Sequence, residues 1–319
     1  MIDFIEAIKY QCKDTPFLGY CNPFPCKLNQ YGWETYKLQG CKEMEIHWNP
    51  QRGDLRVKGS LPYFLQGHNF AFSNKDFVEG VGVLQNLLGV GIWDAELDAF
   101  EYGVIFPIDG KPSDFIRNHN ALPKAHLYMN EKGRDKGCFR WWEDSVKVLK
   151  LYDAGKNIRM KQGLSSREVM EGAGYNPGKK YLKMEVHHKK PYLLNNGKEL
   201  ELEDLQNPEF LEVLSNNLIE QYHQLEPMRT LIQPTSKKDL SALDIVLSVL
   251  VEGMMNQGLP VEEVKKRLYS YINRQDALTR QDKDSRKATI RKAFGKLQES
   301  DESQWDLTQK IEEALAGEV

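Results

Sequence analysis

The chain has 319 residues, 40% of them hydrophobic and 28% charged, with a formal net charge of −3 at neutral pH. This fits a globular protein of one large or two ordinary domains and excludes a disordered chain or a simple polycation. The longest apolar run, Ile245 to Val251, is broken by Ser248 and falls far short of the roughly 20 residues of a membrane span. Acids and Lys9 interrupt the N-terminus early, unlike a signal peptide, so a cytoplasmic location is expected. Five cysteines are an odd number, which argues against a complete disulfide framework. Cys21 and Cys26 are the closest pair and no second pair repeats their spacing, so reduced thiols are expected rather than a zinc site.

Residues 1 to about 50 are rich in Cys, Pro, Tyr and Trp and show weak periodicity. Glu43–Trp48 and Leu55–Lys58 read as strands split by the turn NPQRGD. A helix is predicted from about Asn74 to Leu88, apolar at Phe77, Val81, Leu84, Leu87 and Leu88. Ser73 is its N-cap and Gly89 its stop. Glu96 to Phe106 reads as a strand, and a short helix starts near Pro112. His126–Asn130, Gly137–Trp142 and Ser145–Asp153 read as successive strands, with a tight turn after Trp142. The basic stretch Lys156 to Lys180 holds a helix near Ser166–Gly172, and Tyr181–His188 is one more strand. Leu205 to Leu225 is mostly helical.

Beyond Pro234 the pattern is all helical. A capping-box-like Ser241–Asp244 opens one helix, a second begins after Pro260, and a third runs from about Asp282 to Gln298. The expectation is α+β: an antiparallel-sheet domain over 1–234 with flanking helices, and a helical region over 235–319. From Glu262 to Lys296 there are eleven Lys or Arg against five Asp or Glu, a local excess of six positive charges. After Asp301 the balance turns acidic. Such unevenness suits a polyanionic partner. In the Asp282 helix, Arg286, Lys287, Arg291 and Lys292 gather toward one face, with Ala288, Ile290, Ala293, Phe294 and Leu297 as an opposing apolar stripe.

Three strands carry polar groups where apolar ones are the norm. Glu101 sits among Phe100, Tyr102, Val104 and Phe106; Tyr152 ends VKVLKLY; Glu185 lies between Met184 and Val186. A carboxylate is costly to bury unless paired or metal-bound, and two on adjacent strands could hold one divalent cation. A nearby tyrosine could then attack a phosphodiester. Taken singly, each residue also fits an ordinary solvent-facing strand position. Only one of His187 and His188 can join a given site, because adjacent strand residues face opposite ways. Arg140, Trp141 and Trp142, with Arg134 and Lys136 before them, mix cations and aromatics in a way that suits single-stranded DNA, or else close a sheet core. There is no phosphate-binding loop, hence no sign of a built-in ATPase.

Four segments resemble the phage and plasmid replication family that includes the filamentous-phage gene II protein, and the staphylococcal rolling-circle plasmid initiators. They are RVKGSLPYFLQGHNF (56–70), AFEYGVIF (99–106), VLKLYDAGKN (148–157) and YLKMEVHHKK (181–190), in the family's order and spanning about residues 54 to 190. The resemblance implies a rolling-circle replication initiator in which Tyr152 nicks origin DNA. It places Glu101 and Glu185 on the positions that bind Mg²⁺ or Mn²⁺. Departures are Glu for Asp at 101, Ala99 for Arg, Ala154 for Lys, and His187 where a second acid is common. The phosphate-neutralising cation must then come from elsewhere, with Lys150 and Lys156 as candidates, and His187 stands as a further candidate ligand. The implied partners are duplex and single-stranded origin DNA, with a host helicase and polymerase; homodimerisation is left open. A conjugative relaxase of the same chemistry and a non-catalytic DNA-binding regulator are the competing readings.

Overall fold

The computed structural model describes residues 2–19, 21, 27–39, 43–129, 137–161, 171, 174–227, 242–255, 261–295 and 305–317. The chain is α+β. Its strands are β1 (Ile2–Lys9), β2 (Lys27–Leu28), β3 (Glu34–Lys37), β4 (Met44–Asn49), β5 (Asp54–Gly59), β6 (Glu96–Ile108), β7 (His119–Ala121), β8 (His126–Met129), β9 (Phe139–Glu143), β10 (Lys147–Asp153), β11 (Lys180–His188) and β12 (Glu226–Pro227). Ten form one sheet in the order β2-β3-β4-β5-β1-β6-β11-β10-β9-β8, and β7 and β12 make a separate pair. Every described pairing within the large sheet is antiparallel.

The helices are α1 (Leu61–Gln66), α2 (Asn74–Leu88), α3 (Pro112–Asn118), α4 (Ala154–Lys161), α5 (Pro208–His223), α6 (Ala242–Met255), α7 (Val261–Asn273), α8 (Arg280–Phe294) and α9 (Thr308–Ala316). Helix α2 has the expected bounds for the expected reasons. Ser73 and Asp76 form a reciprocal capping box, and Gly89 closes the helix at φ 66°, a conformation that costs glycine little. The expected helix near 166–172 lies almost wholly outside the described residues, as do Arg134, Lys136, Ser241 and Leu297.

Several elements were not foreseen, among them the short β2, β3, β7, β12, α1 and α4, and two others shape the packing most. β1 sits in the middle of the sheet between β5 and β6, although Asp3, Glu6 and Lys9 interrupt its apolar pattern. α9, in the acidic tail, packs on β6 and α5. Leu307, Ile311 and Leu315 are buried at a spacing of four, and the Leu307 amide donates to the Tyr222 hydroxyl at 2.6 Å. The helical stripe, not the net charge, decides where this segment packs.

Contacts divide the chain into two units. The first comprises Met1–Arg117, Ala121–Leu225 and Leu307–Val319, and so includes α9 with the sheet. The second comprises Asn118–Asn120 and Glu226–Asp306. The boundary expected near residue 234 lies outside the described residues. In the second unit Leu247, Val251, Met255, Val264, Ala293 and Phe294 form a small core, with Ile290 packed against it. Ala288 is exposed rather than part of that stripe.

The sheet has two unlike faces. One buries Phe100, Tyr102, Val104 and Phe106 of β6 beside Leu182, Met184 and Val186 of β11 and Leu149 and Leu151 of β10. Helix α5 reaches this face, where the Tyr102 hydroxyl donates to Asn217 Oδ1 at 2.8 Å. The other face carries the polar residues that alternate with these.

Candidate active site

Register brings the polar residues together. On β11, Glu185 lies opposite Lys150 of β10 and Gly103 of β6; His187 lies opposite Glu101; Lys183 lies opposite Tyr152. All therefore project from one face. Glycine at 103 is required by this arrangement, because a methyl there would come within 2.6 Å of Glu185 Cβ. β1 adds a third acid. Its pairing with β6 shifts between Ile2↔Tyr102 and Phe4↔Glu101, leaving Asp3 as the extra residue of a bulge. Bulges re-aim side chains, and Asp3 joins Glu101 and Glu185, each offering an oxygen within 4.8 Å of the others.

Two lysines thread between these acids. Lys150 Nζ contacts Glu101 Oε2 and lies 3.1 Å from Glu185 Oε1. Lys183 Nζ, 3% exposed as a residue, contacts Asp3 Oδ2 and lies 2.8 Å from Glu185 Oε2. The Tyr152 hydroxyl donates to the same Glu185 Oε2 at 3.0 Å. His187 Nδ1 is 3.5 Å from Glu101 Oε2. Ser60 Oγ and Asn69 Nδ2 each reach Asp3 at 3.4 Å.

This layout gives two neighbouring glutamates opposite tendencies. Burial pushes the Glu185 carboxyl up, but the ammonium groups of Lys183 and Lys150 outweigh it and hold the group well below the usual carboxylate range. Burial, with the negative Glu185 beside it, pushes the Glu101 carboxyl up. Burial and then the Glu185 charge push the Tyr152 phenol well above its usual range. Burial disfavours charge on Lys150 and Lys183, yet the surrounding carboxylates keep both firmly protonated.

These groups open into a cavity of about 600 Å³. Asp3, Glu101, Lys150, Tyr152, Lys156, Glu185 and His187 all line it. Sequence reasoning thus placed six residues in one site and missed Asp3 and Lys183. Asp3 carried a weaker signal, an acid inside the largely apolar run IDFIEAIK, and Lys183 is a charge between apolar Leu182 and Met184. Tyr181, the tyrosine at the start of β11, packs away from the site with Ala154, Ile158 and Tyr175.

The acid triad suits a hard divalent cation: all its donors are carboxylate oxygens. It is, among the described residues, the one group of three or more His, Cys, Asp or Glu close enough to share an ion. Asp3 Oδ1 and Glu101 Oε1 accept no hydrogen bond from either lysine, so oxygen capacity remains beside the ammonium groups. Lys150, with a side chain 25% exposed, is the more displaceable of the two. Cys12, Cys21 and Cys138 are in no disulfide, and no described helix is long and apolar enough to cross a membrane.

The residues expected to touch DNA separate. Trp142 is fully buried on the apolar face, whereas Trp141, one residue earlier, lies opposite Lys150 on the cavity face. Arg140 corrects the expectation of a surface cation: it is buried and donates from Nη1 to the Arg117 carbonyl at 2.8 Å, because it alternates onto the Trp142 side. Arg286, Arg291 and Lys292 on α8 are exposed and Lys287 is half-buried. No protein-family model matches this chain, and no curated protein matches it.

Proposed function

We propose that this protein is a DNA-nicking and rejoining enzyme that initiates rolling-circle replication, with Tyr152 as its nucleophile. One observation carries the reading. All four segments that resemble the replication family contribute to the same cavity: Ser60, Tyr63 and Asn69 from the first, Glu101 from the second, Lys150, Tyr152 and Lys156 from the third, Glu185 and His187 from the fourth.

In the forward step the Tyr152 oxygen bonds to phosphorus and the bond from phosphorus to the 3′ oxygen breaks. The 5′ phosphate stays on the tyrosine. The phenolic proton leaves along its hydrogen bond to Glu185 Oε2 and is passed on to the departing 3′ oxygen, because the ammonium groups of Lys183 and Lys150 keep that carboxylate ionised. Lys156, on the first turn of α4 at the cavity wall, neutralises the phosphate in place of the lysine that Ala154 lacks. A Mg²⁺ or Mn²⁺ ion held by Asp3, Glu101 and Glu185 would supply Lewis-acid polarisation of the phosphoryl oxygens and favour the phenolate. The covalent link keeps the phosphodiester energy, so the reverse transfer rejoins the strand without ATP. The freed 3′ hydroxyl is a primer, which makes a host polymerase and helicase the partners of the reaction. The exposed cations of α8 would hold duplex DNA through sequence-independent phosphate contacts.

A second reading has its own observation. Three acids, two ammonium groups and the Tyr152 hydroxyl satisfy one another, as they would in a DNA-binding regulator that does not cut. The two readings are separated with a supercoiled plasmid carrying the protein's own gene, Mn²⁺, and a search for DNA-linked protein. The parent and Tyr181→Phe are expected to form the adduct and Tyr152→Phe to form none. An adduct from Tyr152→Phe overturns the assignment. Binding without an adduct by the parent favours the regulator.

A further inference from the structure

A row of aromatic rings leads across three strands to the nucleophile. Tyr128 on β8 lies opposite Trp141 on β9, their rings nearly parallel at 10° and 5.0 Å between centroids. Trp141 lies 4.8 Å from Phe139, two residues away on the same strand face. Phe139 lies opposite Tyr152, with their rings 5.8 Å apart. Phe139 and Tyr152 line the cavity. At the far end β8 is the last strand of the sheet, and Tyr128 is 43% exposed there.

Phe139 and Trp141 are only partly covered, while Trp142 and Leu151 on the reverse face are fully buried. A row of mutually packed, partly exposed aromatic rings offers unpaired bases an apolar surface to stack against and reads no sequence. A duplex cannot use them, because its bases are already stacked on one another. The cation required beside such a track stands at its inner end, where Lys156 lines the cavity.

We infer that Tyr128, Trp141 and Phe139 form a stacking track for the bases of a single DNA strand, which delivers the phosphate next to those bases to Tyr152. The inference rests on the proposed nicking reaction for its purpose but not for its test. The track lies on one side of Tyr152 only, so the strand on that side of the scissile phosphate is gripped by its bases.

The probes are a fluorescein-labelled thymidine 20-mer and a 20-mer of the same phosphate backbone in which every site is abasic. The protein is the full chain carrying Tyr152→Phe, so that binding is measured without chemistry. The thymidine probe is expected to bind more tightly than the abasic one. Trp141→Ala, added to that background, should weaken thymidine binding about five- to a hundred-fold and leave abasic binding unchanged. Trp141→Phe should restore most of the loss. Because Trp141 is partly buried, Tyr128→Ala at the exposed edge serves as a second variant and should weaken thymidine binding alone. Equal affinity for the two probes, or an equal loss for both on Trp141→Ala and on Tyr128→Ala, overturns the track. The plasmid adduct is read separately: a base preference without an adduct sinks the nicking reaction and keeps the track, and an adduct without a base preference does the reverse.

Discussion

The two faces of β11 use the same residue type for opposite ends. His187 stands 3.5 Å from Glu101 Oε2 at the cavity. His188, its neighbour, lies against Phe100 and Tyr102 at 5.6 Å between centroids, and neither of its ring nitrogens has a hydrogen-bond partner among the described residues. The same alternation sets Lys183 and Glu185 against Leu182, Met184 and Val186. On the apolar face burial does most of the stabilising, with single hydrogen bonds such as that of Tyr102 to Asn217 beside it. On the polar face every buried charge is tolerated only because an opposite charge answers it. One face can therefore lose a group and keep its neighbours, whereas the other cannot.

Lys183→Met gives the largest test of that difference. Its ammonium answers both Asp3 and Glu185, and removing one partner of a buried ion pair costs roughly 3–5 kcal/mol. The loss should be greatest near neutral pH, where Glu185 is ionised. It should shrink as pH falls, because a carboxylate without its lysine takes up a proton more readily. Urea unfolding at pH 7 and pH 5 measures both effects. Mn²⁺ should raise the unfolding midpoint of this variant more than that of the parent, since the triad then lacks one positive charge. No Mn²⁺ effect on either protein would leave the triad as an ion-pair network only.

The apolar face should show its own pH dependence through His188. Burial first, then the charges of Lys147 and His187, lower its pKa to about 4, from a usual value of about 6.5. The folded protein thus holds His188 neutral while the unfolded chain protonates it. The contribution is fully present above about pH 6.5 and is lost as pH falls toward 4, by roughly 3 kcal/mol in all. His188→Phe should flatten this window in urea-unfolding midpoints taken at pH 7, 5.5 and 4.5. An unchanged slope would mean that other groups carry the acid sensitivity. Glu101, raised by burial, acts with the opposite sign and remains in both proteins.

Much of this contrast was legible in advance and part was not, for reasons that differ by residue. Glu101, Tyr152 and Glu185 stand out because period-two alternation turns a polar residue in an apolar strand into an anomaly. Helix α2 was legible because Ser73 and Gly89 mark its ends chemically, and Asp76 completes the N-terminal cap. Asp3 was missed because β1 was never recognised as a strand, and because its aim depends on a bulge that only pairing with β6 creates. Lys183 was missed because a lysine in a strand reads as solvent-facing until the acids on two neighbouring strands are known. Arg140 was misread because the choice of face for β9 is set by its register with β10, which no local pattern states.

The smallest expected effect comes from pairing two tyrosines, one on each face. Tyr102 is wholly buried and donates to Asn217 Oδ1 at 2.8 Å. Tyr102→Phe keeps the ring and its packing against His188 and Phe100, so the change reduces to one hydrogen bond. Asn217 is half-buried, so water can take the lost donor's place, and the cost should be about 1 kcal/mol in urea unfolding. Adduct formation by this variant should equal the parent's. Tyr152→Phe removes a donor from Glu185 Oε2, but Lys183 still contacts that oxygen at 2.8 Å. Its stability should therefore change by less than about 1 kcal/mol while the adduct disappears. If Tyr152→Phe were instead the more destabilising of the two and Tyr102→Phe the one that impaired the adduct, the assignment of chemistry to one face and packing to the other would be reversed.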